Sequence, residues 1–194
     1  MKQGEKMVEQ EYYPDYHEHN DFGPAMLALS HFIINWNWVE HYFNVVLWHY
    51  AGDIQVGAMY TAGLGNQSRA DTLLVLSKAK EKNPLILDFT EFSVSVFGKL
   101  KSNRNSLAHS HSIARDINEE KPRWIRSSNN PKSSHVYVYA DLDDIVENLN
   151  ACGALSKNLL ELSLIQMGKG NTALLTKFPV PKVLLPHSVA YGNE

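Results

Sequence analysis

The stretch Pro84-Leu85-Ile86-Leu87-Asp88-Phe89-Thr90-Glu91-Phe92-Ser93-Val94-Ser95-Val96-Phe97-Gly98-Lys99-Leu100-Lys101-Ser102-Asn103-Arg104-Asn105-Ser106-Leu107-Ala108-His109 decides how this chain folds. Its apolar residues Ile86, Phe89, Val96, Phe97, Leu100 and Leu107 recur at helical steps and make one continuous face. Asn83-Pro84 closes whatever precedes it, and proline suits a first helical turn, where no backbone N–H is needed. Asp88 and Glu91 lie near the start, while Lys99, Lys101 and Arg104 lie toward the end. That order complements a helix dipole. The pattern predicts a long helix from Pro84 to about Ser110.

Outward from it, the same period recurs. Leu29, Ile33, Trp36, Phe43, Leu47 and Tyr50 mark a first helix from about Pro24 to Tyr50, with Asn20 or Asp21 as its cap and Ala51-Gly52-Asp53 as its end. Gly57, Gly63 and Gly65 read as a loop. Ser68-Arg69-Ala70-Asp71 reads as a cap with an acid three residues on, opening a helix to about Lys82. Asp141 caps a last helix, Leu142 to about Met167, along Ile145, Leu149, Cys152, Leu155, Leu159 and Leu162. Between the last two helices, Trp124-Ile125 and His135-Val136-Tyr137-Val138-Tyr139 read as two short strands around a turn-rich segment. The expected fold is therefore all-α, an antiparallel four-to-five-helix bundle with a small β-hairpin insertion at about 123–140. Residues 1–21 read as a polar arm, 22–168 as the helical domain, and 169–194, with Pro179, Pro181 and Pro186, as an extended tail.

A chain of 194 residues can bury a core without disulfides or a structural metal. Cys152 is the single cysteine, so neither an internal disulfide nor a cysteine-based zinc site is available within one chain. It reads as a small buried residue on a helix. No apolar run approaches a membrane span and no signal sequence is visible, so the expected setting is cytoplasmic, with no membrane partner. The formal net charge of −3 argues against a general nucleic-acid coat. The distribution is uneven. Between Gly98 and Lys132 the chain holds Lys99, Lys101, Arg104, Arg115, Lys121, Arg123, Arg126 and Lys132 against Asp116, Glu119 and Glu120. Such a segment suits a polyanion or, equally, an ordinary solvated loop.

Two charged residues fall on apolar helix faces. Glu40 lies on the line of Ile33, Trp36, Phe43 and Leu47, and Arg104 on the line of Phe97, Leu100 and Leu107. A charge in such a place needs a partner. One reading pairs the two as an ion pair between helices. The other turns on the residues just C-terminal to Arg104. Asn105 and His109 share a helix face, and His109 lies about 140° around from Arg104. Arginine offers a fixed fork of donors to a phosphate, histidine exchanges a proton near neutral pH, and asparagine can orient either one. His111, six residues after Arg104, would share its face if the helix continued. His17-Glu18-His19 on the arm has metal-ligand spacing, but two histidines on a polar arm more often bind nothing, and no metal or cofactor is expected. Trp36, Trp38 and Trp48 read as packing residues.

Arg104-Asn105-Ser106-Leu107-Ala108-His109, near the end of a long helix in a helical chain, resembles the HEPN superfamily. That family is marked by an arginine and a histidine four to six residues apart, often with a polar residue directly after the arginine. The likeness extends over roughly residues 24–167 in helix order, but only the motif is specific. It implies a metal-independent endoribonuclease working as a homodimer with a composite cleft. The ribose 2′-OH of single-stranded RNA would attack the neighbouring phosphorus. In those terms His109 is the general acid or base, Arg104 binds the scissile phosphate, and Asn105 positions the pair. Glu40 and His111 are supporting candidates, and the family pattern favours His109 over His111. Arg115, Arg123 and Arg126 would meet the RNA backbone, with Trp124 as a stacking surface. Such a protein would serve as a toxin or defence effector, with an antitoxin as a further partner. The alternatives are a non-catalytic RNA- or nucleotide-binding or oligomerisation module of the same type, and a structural domain in which Glu40 and Arg104 simply pair.

Overall fold

The computed structural model describes residues 22–115 and 118–190. They form five α-helices, α1 (Gly23–Ala51), α2 (Ile54–Thr61), α3 (Asn66–Lys80), α4 (Pro84–Ala108) and α5 (Leu142–Gln166). A four-stranded antiparallel sheet accompanies them, β1 (Ser112–Ala114), β2 (Arg123–Ser127), β3 (Ser133–Tyr139) and β4 (His187–Ala190), in the order β1-β2-β3-β4. The chain is mostly helical, as its periodicity predicts. The sheet is larger than the hairpin expected from sequence. β1 is three residues long and β4 comes after a proline-rich run, so neither carries a strand signal of its own; each exists because β2 and β3 offer it an edge.

α1 and α5 make the most extensive helix pairing. Phe32, Trp36, Val39, Phe43 and Val46 of α1 and Ile145, Cys152, Leu155, Leu159 and Leu162 of α5 are all buried. Burying a side chain of this size stabilises the fold by roughly 1.5–3 kcal/mol. The aromatic centre joins α1 to α4: Phe97 stacks on Phe43 at 4.2 Å and on Trp36 at 4.9 Å between ring centroids. Burial also pushes the Cys152 thiol up to about 12, which leaves it protonated and inert.

Helix ends obey the expected chemistry in two places. The Asp141 side chain accepts from the Asp144 N–H at 2.9 Å, and the Asp144 carboxylate accepts from the Asp141 N–H at 3.0 Å, a capping box that opens α5. Gly52 closes α1 in the left-handed region at φ 99°. The start of α1 differs. Phe22 occupies its cap position without a side-chain bond, and Asn20 and Asp21 lie outside the described residues, as does His17-Glu18-His19.

The segment read as a glycine loop contains α2 instead. Asp53 caps it by accepting from the Val56 N–H at 2.9 Å. Gly57 lies against Trp48, where an added Cβ would sit 2.9 Å from the Trp48 Cα, so this glycine serves close helix packing rather than a turn. α3 starts at Asn66, ahead of the expected cap at Ser68, with Gly65 in the cap position.

Beyond α5 the expected extended tail first makes a 3-10 turn at Thr172–Leu174, opened by Asn171 Oδ1 accepting from the Ala173 N–H, and then crosses the helices in extended form. Asn158 donates to the Thr176 carbonyl at 2.8 Å, and Lys177 pairs with Asp88. Leu184 is buried, and the segment ends as β4 beside β3. Among the described residues no helix is long and apolar enough to cross a membrane.

Candidate functional site at the end of helix α4

The last turn of α4 carries Arg104 and Asn105, and His109 follows at its end. The helix ends at Ala108, and His109 occupies the cap position, exposed, with its backbone N–H bonded to the Asn105 carbonyl. Arg104 is half-buried. Its Nη1 donates to Asn105 Oδ1 at 3.0 Å, while its buried Nε finds no hydrogen-bond partner among the described residues. The amide of Asn105 therefore holds one edge of the guanidinium. A planar cation can bind a phosphate, and an exposed imidazole can exchange a proton.

Two supporting expectations are corrected. Glu40 does not pair with Arg104. Its carboxylate accepts a hydrogen bond from Asn66 Nδ2 in the first turn of α3, so a neutral amide on the nearer helix satisfies it. His111 does not continue the α4 face. With the helix ended at Ala108 the backbone turns extended, and the His111 N–H bonds the Ile125 carbonyl at 2.9 Å, leading into β1. His111 is exposed at the rim of the sheet.

The four residues expected to meet RNA are divided by the sheet. Strand residues alternate between faces. Trp124 stands opposite Val138 in the ladder, and both are buried toward the helices. The indole Nε1–H of Trp124 donates to the Ala140 carbonyl at 2.9 Å, and its residual exposure is 2 %. Trp124 is thus a core residue and not a stacking surface. Arg126 lies two residues on, on the same helix-facing side, with its Nε buried. Arg123 lies on the outward face, where Nε pairs with Glu119 at 2.9 Å and the guanidinium carbon stands 5.6 Å from the centre of the Tyr137 ring. Arg115 is exposed just beyond β1.

Two features were not read from the sequence. Asn103 is fully buried: its Nδ2 donates to Asn148 Oδ1 at 2.8 Å and to the Lys182 carbonyl at 2.7 Å, and its Oδ1 accepts from the Leu184 N–H at 2.8 Å. It ties α4 to α5 and to the chain leading into β4. The helical line of Ile86, Phe89, Val96, Leu100 and Leu107 runs past position 103, which is the one available signal. The second feature is an aromatic cluster on the outward face of the sheet. Its signal is the alternation His135, Tyr137, Tyr139. Among the described residues no three His, Cys, Asp or Glu side chains gather as a metal site requires.

Comparison with family models, with curated proteins and with solved structures gave no match to this chain.

Proposed function

We propose that the chain is a metal-independent endoribonuclease of the HEPN type, cleaving single-stranded RNA as a homodimer. The observation that carries this reading is the Arg104 guanidinium. It is half-buried, held on one side by Asn105, unpaired with any carboxylate among the described residues, and five residues before the exposed His109.

In the reaction, one histidine takes the proton of the ribose 2′-OH as that oxygen attacks the adjacent phosphorus. The bond from phosphorus to the 5′-oxygen breaks, and the leaving oxygen takes a proton from a second acid. The products are a 2′,3′-cyclic phosphate and a 5′-hydroxyl. His109 from each of two protomers would supply the base and the acid. Arg104 would neutralise the charge that grows on the phosphoryl oxygens, and Asn105 would hold it in position. A second copy has a surface to meet. Leu27, Ile34 and Trp38 of α1 repeat at helical spacing on one side and are each more than half exposed.

Incubating mixed single-stranded RNA in EDTA with the wild-type chain and with His109→Ala tests this. Cutting that leaves cyclic phosphate ends and disappears in the variant is the expected result. Folded, dimeric protein that binds RNA without turnover would instead support the non-catalytic RNA-binding module.

A further inference from the structure

The outward face of the sheet carries side chains that neither the helical core nor the Arg104 site uses. The register places Tyr139 opposite Arg123, Tyr137 opposite Ile125 on one side and His187 on the other, and His135 opposite Ser127. The helices pack on the other face, through Trp124 and Val138. On the outward face the rings touch. Tyr137 and His187 are nearly parallel, at 17° and 5.3 Å between centroids. Tyr139 meets Tyr137 at 5.3 Å and His187 at 5.5 Å, edge to face. His135 stands 6.4 Å from Tyr137, and Arg123 lies over it. All of these residues keep solvent contact, and His187, on the outermost strand, is exposed.

Aromatic rings on a protein surface normally gain their stability by being covered. Here several converge on one solvent-facing sheet, in a row that runs Arg123, Tyr137, His187 and ends open at His187. The charges around the face suit an anionic strand. Arg115 is exposed at the end of the sheet nearest Arg123 and Tyr139, and Lys132 is exposed at the other end, just before β3. Among the described residues, the Glu119 carboxylate at this face is engaged by Arg123 and accepts from the Tyr139 hydroxyl at 3.0 Å. Contact with Tyr137 and with the Glu119 carboxylate pushes the Tyr139 phenol up to about 12, so it stays neutral and adds no negative charge. The edge of the sheet begins close to the end of α4 in the chain: the N–H of His111, two residues after His109, bonds the carbonyl of Ile125.

We propose that this face is a stacking platform for single-stranded RNA, with a base stacked on the outer face of His187, which Tyr137 and Tyr139 hold in place, and the backbone running between Arg115 and Lys132. Base–aromatic stacking tolerates any sequence because every base has a flat face, and it requires unpaired bases. The inference rests on the reading of Arg104 and His109 as an RNA-cleaving site and adds where the bases flanking the cut are held.

The test is fluorescence anisotropy with a short labelled single-stranded RNA of mixed sequence. The full chain carries His109→Ala so that the strand is not consumed. Adding Tyr137→Ala and His187→Ala is expected to weaken binding by about tenfold or more, whereas Tyr137→Phe stays within about twofold. The same sequence as a duplex should bind more weakly than the single strand. Unchanged affinity in the folded double variant overturns the platform. So does a loss of affinity that tracks a loss of dimer mass, which would mark the face as a protein interface. If the double variant fails to fold, His187→Ala at its exposed edge position decides, by about a threefold loss or none. Cleavage in EDTA by the chain with His109 intact is scored separately. Turnover with unaffected platform variants overturns the platform and keeps the nuclease. Platform-dependent binding without turnover removes the nuclease and keeps the platform.

Discussion

Asn103 and Arg104 are consecutive residues of α4 with opposite fates. Asn103 is fully buried and spends its amide on Asn148, Lys182 and Leu184. Arg104, about 100° further round the helix, is half-buried and bonded only to its neighbour Asn105, with Nε unpaired among the described residues. A buried polar group whose every donor and acceptor is used holds a fold together. One that keeps donors in reserve at the edge of solvent is suited to a ligand.

The largest expected effect is on chemistry. His109→Ala and Arg104→Ala should each lower RNA cleavage by about 10²–10⁴-fold, with the urea midpoint nearly that of the wild type. If Arg104→Ala instead unfolds the chain, the contrast with Asn103 is broken and Arg104 is a structural residue too. Asn103→Ala should do the reverse. It strands the Leu184 N–H, the Lys182 carbonyl and the Asn148 side chain, at a cost of about 3 kcal/mol, measured by chemical denaturation. The folded fraction should still cut RNA.

Asp141→Ala should cost about 1 kcal/mol through loss of the capping box, measured the same way. Burial opposes the charge of Asp141, but the Asp144 N–H and Lys121, whose Nζ stands 3.1 Å away, outweigh it and hold the carboxyl below its ordinary value. The contribution is therefore present above about pH 4 and fades as the pH falls through the depressed value. In the Ala variant, acid denaturation between those limits should be less steep.

The smallest effect sharpens the comparison from the other side. Glu40→Gln should change stability by less than about 0.5 kcal/mol, because the partner of Glu40 is the neutral Asn66. Breaking a buried ion pair with Arg104 would have cost about 3–5 kcal/mol, so a loss of that size would restore the pairing and weaken the case for a free guanidinium.

Much of this molecule was legible from local pattern. The period of Ile86, Phe89, Val96, Leu100 and Leu107 places α4 within two residues of its observed end, and Asp141 marks the start of α5. The alternation in β3 was visible, yet which of its faces turns inward was not. Trp124 has the composition of a surface stacking residue beside Arg123 and Arg126, and only its pairing with Val138 shows that it is buried. α2 was hidden because Gly57 reads as a loop until Trp48 is seen lying against it.

The sequence by itself determined the four long helices, the Asp141 cap of α5 and the residue types of the Arg104–His109 turn, because helical hydrogen bonds and side-chain periodicity are local and need nothing beyond a few neighbours. Tertiary structure alone decided which charges are spent and which are free. Asn66 reaches Glu40 from another helix, Lys182 and Leu184 return to Asn103 from the far end of the chain, and β4 comes from beyond α5 to set His187 against Tyr137. Those partners are distant in sequence, and a hydrogen bond or a ring contact depends on distances of a few ångströms that no local pattern encodes.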